Sequence, residues 1–458
     1  MQANLNTRLT RIGPGTPCGQ LMRQYWQPVA LVDEFDAALD PKMALRPIKA
    51  VRLLGQDLVL FKTGDQTYGL LDRDCPHRGA DLAFARFEPA GASPHNPGAM
   101  HPVGIRCPFH GWKFAADGSC LETPAEPENS SLCTRVRQRS YPTLARAGII
   151  YAWLGDAGST PPELPNLDCY QAPQSHSFAF KGLWRCNWLQ AFEVGIDPAH
   201  PSFLHRYFED ESTDGQFGKQ FRGASAGEVD GEKWPMTRVM RECFRADIRV
   251  DAKAHGLGIT TLRRISEQLT HVRTTQALFP HSFIIPLSET ITITQCHVPV
   301  DDVTTYWYTI FTSYDQPLNQ ATMRAQRLQT IELPDYVPKV GAHNAWGHNP
   351  QEQQRSTYLG MGEDINVHDQ WAVESPGPIA DRTREHLGTS DKVIMAYRRQ
   401  LQAAIDSVER GEPPPRMDAN ASMPTFDSIE QSADWQHPSA AKEARRTGNA
   451  SWKRTQNS

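Results

Sequence analysis

Cys75-Pro76-His77-Arg78-Gly79-Ala80, and after it Cys107-Pro108-Phe109-His110-Gly111-Trp112, decide how this chain is read. Each stretch opens on Cys-Pro and carries a histidine two or three residues after the cysteine, so together they offer two thiolates and two imidazoles. That is the ligand set of a [2Fe–2S] centre in which two cysteines hold one iron and two histidines hold the other. Exchanging two anionic thiolates for neutral imidazoles raises the potential, so such a centre takes electrons from a carrier and passes them on. A structural zinc site is the competing reading, since two Cys and two His also satisfy tetrahedral zinc. Against zinc, the C-x-H spacing is tighter than the usual finger spacing, and each pair mixes Cys with His.

Around these loops the pattern is that of a small antiparallel β domain. Val51–Leu54, Asp57–Lys62, Thr67–Leu71, Val103–Arg106 and Gly148–Leu154 read as short strands between Gly/Asp and Gly/Pro turns. The predicted fold class is α+β: this domain over residues 45–155, then a larger catalytic domain over 156–410 with an antiparallel sheet flanked by helices. The Pro-rich link Thr160–Pro165 marks the boundary. Residues 1–44 read as a helical segment packing on the second domain, and 411–458 as a polar C-terminal arm after Gly411-Glu-Pro-Pro-Pro415. In the second domain, Ile248–Asp251, Gly258–Leu262, Thr290–Gln295 and Tyr306–Phe311 alternate like strands, and Val393–Ser407 has helical spacing.

Composition narrows the function classes. With 458 residues and a net charge of −5 the chain gives no reason to expect nucleic acid. No apolar run reaches the roughly 18–20 residues of a membrane span, and the mean hydropathy is −0.53. The start lacks the apolar core of a signal peptide, and the other seven of the nine cysteines are scattered like free thiols. A cytoplasmic protein without membrane attachment is expected.

A second constellation stands at Glu193-Val-Gly-Ile-Asp197-Pro-Ala-His200-Pro-Ser-Phe-Leu-His205. Two histidines with a carboxylate can hold a non-haem Fe(II) while leaving positions open for O2. On a regular helix the separation of His200 and His205 would splay their imidazoles by about 140°. Convergence on one metal therefore needs a break, which Pro201 could supply. Spacing alone does not choose the third ligand among Glu363, Asp364, Asp369 and Glu374.

These motifs, with Gly13-Pro-Gly-Thr-Pro17 to Tyr25-Trp-Gln-Pro28 and Asp369-Gln-Trp-Ala-Val-Glu374 to His386-Leu-Gly388, resemble the α subunits of Rieske non-haem iron aromatic-ring oxygenases. The likeness is strongest to the phthalate dioxygenase-like group, which contains both hydroxylases and aromatic O-demethylases. It implies a [2Fe–2S] Rieske cluster on Cys75, His77, Cys107 and His110, and a mononuclear Fe(II) on His200, His205 and Asp369. It implies a homotrimer, or a stacked hexamer, in which Asp197 is catalytic: it bridges His200 to His110 of a neighbouring copy. One departure is the stretch of 29 residues between His77 and Cys107, which reads as a Pro/Gly-rich surface insertion.

No dinucleotide-binding or plant-type ferredoxin motif is present, so electrons from NAD(P)H must arrive through a separate ferredoxin or flavin reductase. The expected reaction is O-demethylation of a methoxylated aromatic carboxylate with release of formaldehyde, since the chain is long for the group and could house a bulky substrate. Ring hydroxylation or cis-dihydroxylation of an acid such as a phthalate is the alternative, and a Rieske electron carrier the more remote one. Arg263 and Arg264, with Arg249 behind them, are the candidates for the substrate carboxylate, because arginine offers a planar fork.

Overall fold

A computed structural model of the chain describes residues 1–96, 98–156, 158–210, 225–288, 290–417 and 423–432. It divides into two compact units, Met22–Glu163 and a second formed by Met1–Leu21 with the chain from Leu164 onward. The first boundary falls earlier than 45 because Trp26–Leu31 pairs antiparallel with Ile149–Trp153, which makes it a strand of the smaller unit.

Among the described residues the smaller unit is built from three short antiparallel sheets and a two-stranded hairpin. Ile48–Leu53, Gln56–Gly64 and Thr67–Asp72 form one meander, joined at its edge by Ser140–Tyr141. Arg86–Glu88, Gly104–Arg106, Lys113–Ala115 and Cys120–Glu122 form another. Apolar side chains alternate inward from both, so Val59, Phe61, Leu71, Leu82, Ile105 and Phe114 share one core with Cys75 and Cys107. The insertion after Glu88 is a small hairpin, Gly91–Ala92 on Met100–His101. His95 is exposed on it.

The larger unit is organised by an antiparallel sheet. From one edge it runs Ser177–Trp184, Thr304–Ser313, Ile291–Asp301, Ser282–Pro286, Leu269–Leu278, Gly256–Arg264 and Asp247–Lys253. Ser282–Pro286 is short and covers only Gln276–Leu278 of its neighbour. The remaining edge, Leu269–Thr274, is taken by a strand from the C-terminal region, Phe426–Gln431. That part of the expected polar arm is therefore sheet; the basic residues Lys442 to Arg454 lie outside the described residues.

Three of this unit's helices position the site. Trp188–Ile196 starts on Asn187, whose Oδ1 accepts from the Leu189 N–H while Nδ2 donates to the carbonyls of Thr10 and Asp302. Gly195 sits where a Cβ would lie 2.0 Å from the Phe283 ring, so glycine lets this helix approach the sheet. Ile365–Glu374 is tied to it by Gln190, which donates to the Val373 and Gly377 carbonyls and accepts from the Ala380 N–H. Lys392–Glu409 buries Ile394, Tyr397, Leu401 and Ile405, the stripe its spacing predicts. Its Arg398, with Arg382, clamps the buried carboxylate of Glu193. Among the described residues no helix is long and apolar enough to cross a membrane.

Candidate active site

The two Cys-Pro loops of the smaller unit fold alike. The Cys75 N–H donates to the Ala80 carbonyl and Gly79 N–H returns to the Cys75 carbonyl. In the second loop Cys107 donates to Trp112, and Gly111 returns to Cys107. Gly79 and Gly111 both hold φ near the left-handed region, at 73° and 77°, which glycine adopts without a Cβ penalty. Both thiols are buried, and burial, with Cys107 beside it, pushes Cys75 up to about 11. The backbone N–H groups of His77 and Arg78 offset this only in part, and a metal cation would complete the stabilisation of the thiolate. The rings of His77 and His110 meet edge to face at 4.4 Å, His77 stacks on Trp112, and His110 Nδ1 is buried with no hydrogen-bond partner. An inner thiol pair and an outer imidazole pair, one with an orphaned nitrogen, fit a Cys2His2 diiron cluster.

Arg106 braces the second loop. Its Nε lies 2.6 Å from Glu88, its Nη2 lies 2.6 Å from Glu122, and its Nη1 donates to the Gly111 carbonyl. Arg106→Leu leaves Glu88 with Lys113 as its cationic partner and Glu122 with the Ser93 hydroxyl in place of a guanidinium. The expected cost is about 3–5 kcal/mol, read as a fall in the melting temperature of the cluster absorbance. An unchanged melting curve would show that the bracing is incidental.

In the larger unit the helix Trp188–Ile196 stops at Asp197, whose backbone is extended and which is followed by Pro198. The chain then makes a 3-10 turn at His200–Ser202, with Pro201 inside it. The segment joining the two histidines is therefore not α-helical: it runs through this tight turn and then through Phe203, at φ −123° and ψ −53°, so the break includes Pro201, as expected. The rings of His200 and His205 end 5.0 Å apart. Their Nε2 atoms lie 3.7 and 3.2 Å from Asp369 Oδ1, which the helix Ile365–Glu374 delivers.

Two of the other candidate carboxylates are engaged elsewhere. Asp364 caps that helix and pairs with Arg327 at 3.6 Å, and Glu374 accepts from the Arg185 backbone and Trp346. Among the described residues, His200, His205 and Asp369 alone place three ligand atoms within 4.8 Å of one another. Burial, then His205, lowers His200, so its Nε2 is a lone pair. Burial pushes Asp369 up to about 6, and its Oδ1 has no hydrogen-bond donor. Lone pairs turned on one another repel unless a cation sits among them, and two His with one carboxylate fit Fe(II). His200 Nδ1 is 2.7 Å from the Asp197 carbonyl oxygen, an acceptor that fixes its tautomer.

These groups open into a cavity in the same unit. Trp184, Ile196, Met240, Phe283, Ile285 and Phe311 are among its apolar lining, and Arg273, Gln295 and Thr261 are among its polar groups. Strand register explains why the expected arginines are absent from it. The odd-numbered residues of these strands face the cavity side, as Thr261↔Arg273 and Asp427↔Arg273 show, so Arg264 points to the opposite face and is exposed. Arg263 points to the cavity side but lies beyond the lining, fully buried, donating to the Pro198 carbonyl at 2.9 Å. Arg249 is half exposed beside Asp247. Arg273, which the sequence reading did not single out, is the cation that reaches the cavity from this part of the sheet, 3.4 Å from Asp427.

Residues 26–142 match the Rieske [2Fe-2S] domain model, and residues 152–456 match the model described as LigXa C-terminal domain like. The chain belongs to the Rieske non-haem iron oxygenases. The oxygenase subunit of phthalate 4,5-dioxygenase from Pseudomonas putida is 31% identical, over 89% of this chain and 87% of its own length. That of 5,5'-dehydrodivanillate O-demethylase from a Sphingobium species is 30% identical, over 90% and 82%. The solved structure of a Pseudomonas putida NdmA mutant with theobromine shares the fold at TM-score 0.55 and 18% identity, covering 89% of this chain and 99% of that one. As a Rieske oxygenase the chain is an oxygenase component that uses a [2Fe–2S] cluster and a mononuclear iron and draws electrons from a separate partner.

Proposed function

We propose that this Rieske oxygenase O-demethylates a methoxylated aromatic carboxylate. The observation that carries the substrate class is Arg273, a buried cation set among apolar walls in the cavity onto which His200, His205 and Asp369 open. Arg263 and Arg273 stand against one carboxylate, Asp427, while burial holds His271 below its usual range and neutral. One positive charge is left over, and a bound carboxylate would neutralise it with a bidentate pair. The relatives named for phthalate and dehydrodivanillate act on aromatic acids, which agrees.

We assign Cys75, His77, Cys107 and His110 to the cluster, and His200, His205 and Asp369 to the iron. The iron supplies activation of O2 with electrons delivered through the cluster. The chain's own residues do the rest. Arg273 anchors the acid, Phe283, Ile285 and Phe311 hold the ring and exclude water, and the Asp197 carbonyl holds the proton on His200 Nδ1. The Asp197 carboxylate, 3.9 Å from His200 Nδ1 and one-quarter exposed, is assigned to meet His110 of a second copy in a homotrimer. In balance, the aryl methyl ether, O2, two electrons and two protons give the phenol, formaldehyde and water.

Attack on the methyl carbon, the finer part of the proposal, rests on likeness to the O-demethylase; likeness to the dioxygenase favours ring hydroxylation as the second reading. The test is to supply the purified chain with a ferredoxin–reductase pair, NADH and a panel of benzoates with and without methoxy groups. Formaldehyde matching the phenol formed is the expected result. A dihydrodiol without formaldehyde would establish ring attack instead.

A further inference from the structure

His368 precedes Asp369 on the helix Ile365–Glu374 and is fully buried. Its Nε2 lies 2.8 Å from the carbonyl oxygen of Gly362. A carbonyl only accepts, so this nitrogen carries the hydrogen. Gly362 is itself fixed: its N–H donates to Glu352 Oε1 at 2.9 Å, and its φ of 79° is one that glycine adopts freely. The carbonyl is thus presented by a held turn.

The other nitrogen of His368, Nδ1, lies 3.4 Å from Nδ1 of His205. The two rings are 26° from parallel with centroids 5.5 Å apart. Two ring radii of about 1.1 Å and a hydrogen-bond length add up to that separation, so the imidazoles meet edge to edge. Two nitrogens that face one another can share one hydrogen only. With the Nε2 hydrogen of His368 donated to Gly362, His368 Nδ1 is assigned as the acceptor and His205 Nδ1 as the donor, the arrangement that leaves His205 Nε2 free to ligate. His205 Nε2 is then the lone pair turned toward Asp369 Oδ1.

We propose that His368 is the positioning residue for His205: it fixes that ring's tautomer and plane, as the Asp197 carbonyl does for His200. The inference rests on the assignment of His205 to the iron. It gives the two histidines unlike supports, a backbone carbonyl for one and a second imidazole for the other. Removal of such an outer partner lowers metal affinity by about 10- to 100-fold.

The test uses the full chain with its cluster, stripped of mononuclear metal and titrated anaerobically with Co(II). His368→Phe fills the space and cannot accept, so Co(II) should bind about 10- to 100-fold more weakly with a changed visible d–d band. Cluster absorbance and its melting temperature should stay as in the wild type. His368→Asn, whose amide oxygen can accept, should recover most of the affinity. Wild-type affinity and spectrum in His368→Phe would overturn the proposal. A measurement on the wild type covers a variant that does not fold. Its Co(II) form should show two solvent-protected, hyperfine-shifted N–H proton signals, one from each iron-site histidine, and a single one would overturn the proposal. Undiminished Co(II) binding by His205→Ala would instead remove the underlying ligand assignment, which separates the two failures.

Discussion

Asp369→Ala is expected to remove one iron atom per chain while acid-labile sulfide and the cluster's visible absorbance stay at wild-type levels. Asp369 Oδ1 is the atom on which the Nε2 atoms of His200 and His205 converge, at 3.7 and 3.2 Å. It is also the only anionic member of the three, so a variant without it offers Fe(II) two neutral imidazoles and no charge. Loss of an outer partner alone costs about 10- to 100-fold in metal affinity, so loss of the charged ligand should exceed about 100-fold in affinity and in turnover. The fold should survive. Asp369 is buried without a donor to its Oδ1, and alanine relieves the cost of holding a carboxylate there. Iron and sulfide analysis beside a melting curve checks both halves. A variant that keeps its full iron complement would require another ligand set.

Arg273→Met should raise the apparent KM for the acid substrate by about 100-fold, since truncating one partner of a buried charge pair costs on the order of 2–5 kcal/mol. Methionine keeps the side chain's length and apolar stem but removes the fork. Asp427 retains Arg263 in its surroundings and His271 Nε2 as a direct partner, so its carboxylate is not left alone. Binding lost equally from substrate and transition state leaves kcat nearly unchanged. The neutral methyl ester of the same acid is the control, because it never pairs with the guanidinium. Its KM should move little, and the preference for acid over ester should collapse. An equal rise for acid and ester would assign Arg273 to the shape of the cavity rather than to charge recognition.

How much of this was legible in the sequence depended on how local each feature is. The cluster loops were legible because four ligands fall in two short motifs whose turns close on themselves, Cys75 to Ala80 and Cys107 to Trp112. The helix over Ile394, Tyr397, Leu401 and Ile405 was legible from its period, as were several strands of the sheet. His200 and His205 were visible as a pair, and so was Pro201 as part of the break between them. Asp369 stands far along the chain from both, and only resemblance preferred it over Glu363, Asp364 and Glu374. The structure shows why composition could not: Asp364 and Glu374 serve as a helix cap and a backbone clamp.

The arginines were missed for want of register. Arg263, Arg264 and Arg273 all lie on strands, and a shift of one residue exchanges the two faces. Only pairing with Thr261 and Asp427 shows that Arg273 faces the cavity. Asp427 belongs to a strand that polar composition disguised as a tail. His368 carried a faint signal, a histidine next to a carboxylate ligand, yet its role depends on the Gly362 carbonyl and on where His205 turns.

The decisive measurement is a single turnover of the reduced chain with a methoxybenzoate labelled as OCD3, under 18O2. If the methyl carbon is the site of attack, deuterated formaldehyde appears in step with the phenol, and the ring product carries no 18O. An aromatic product that retains OCD3 and has gained 18O on the ring would contradict O-demethylation.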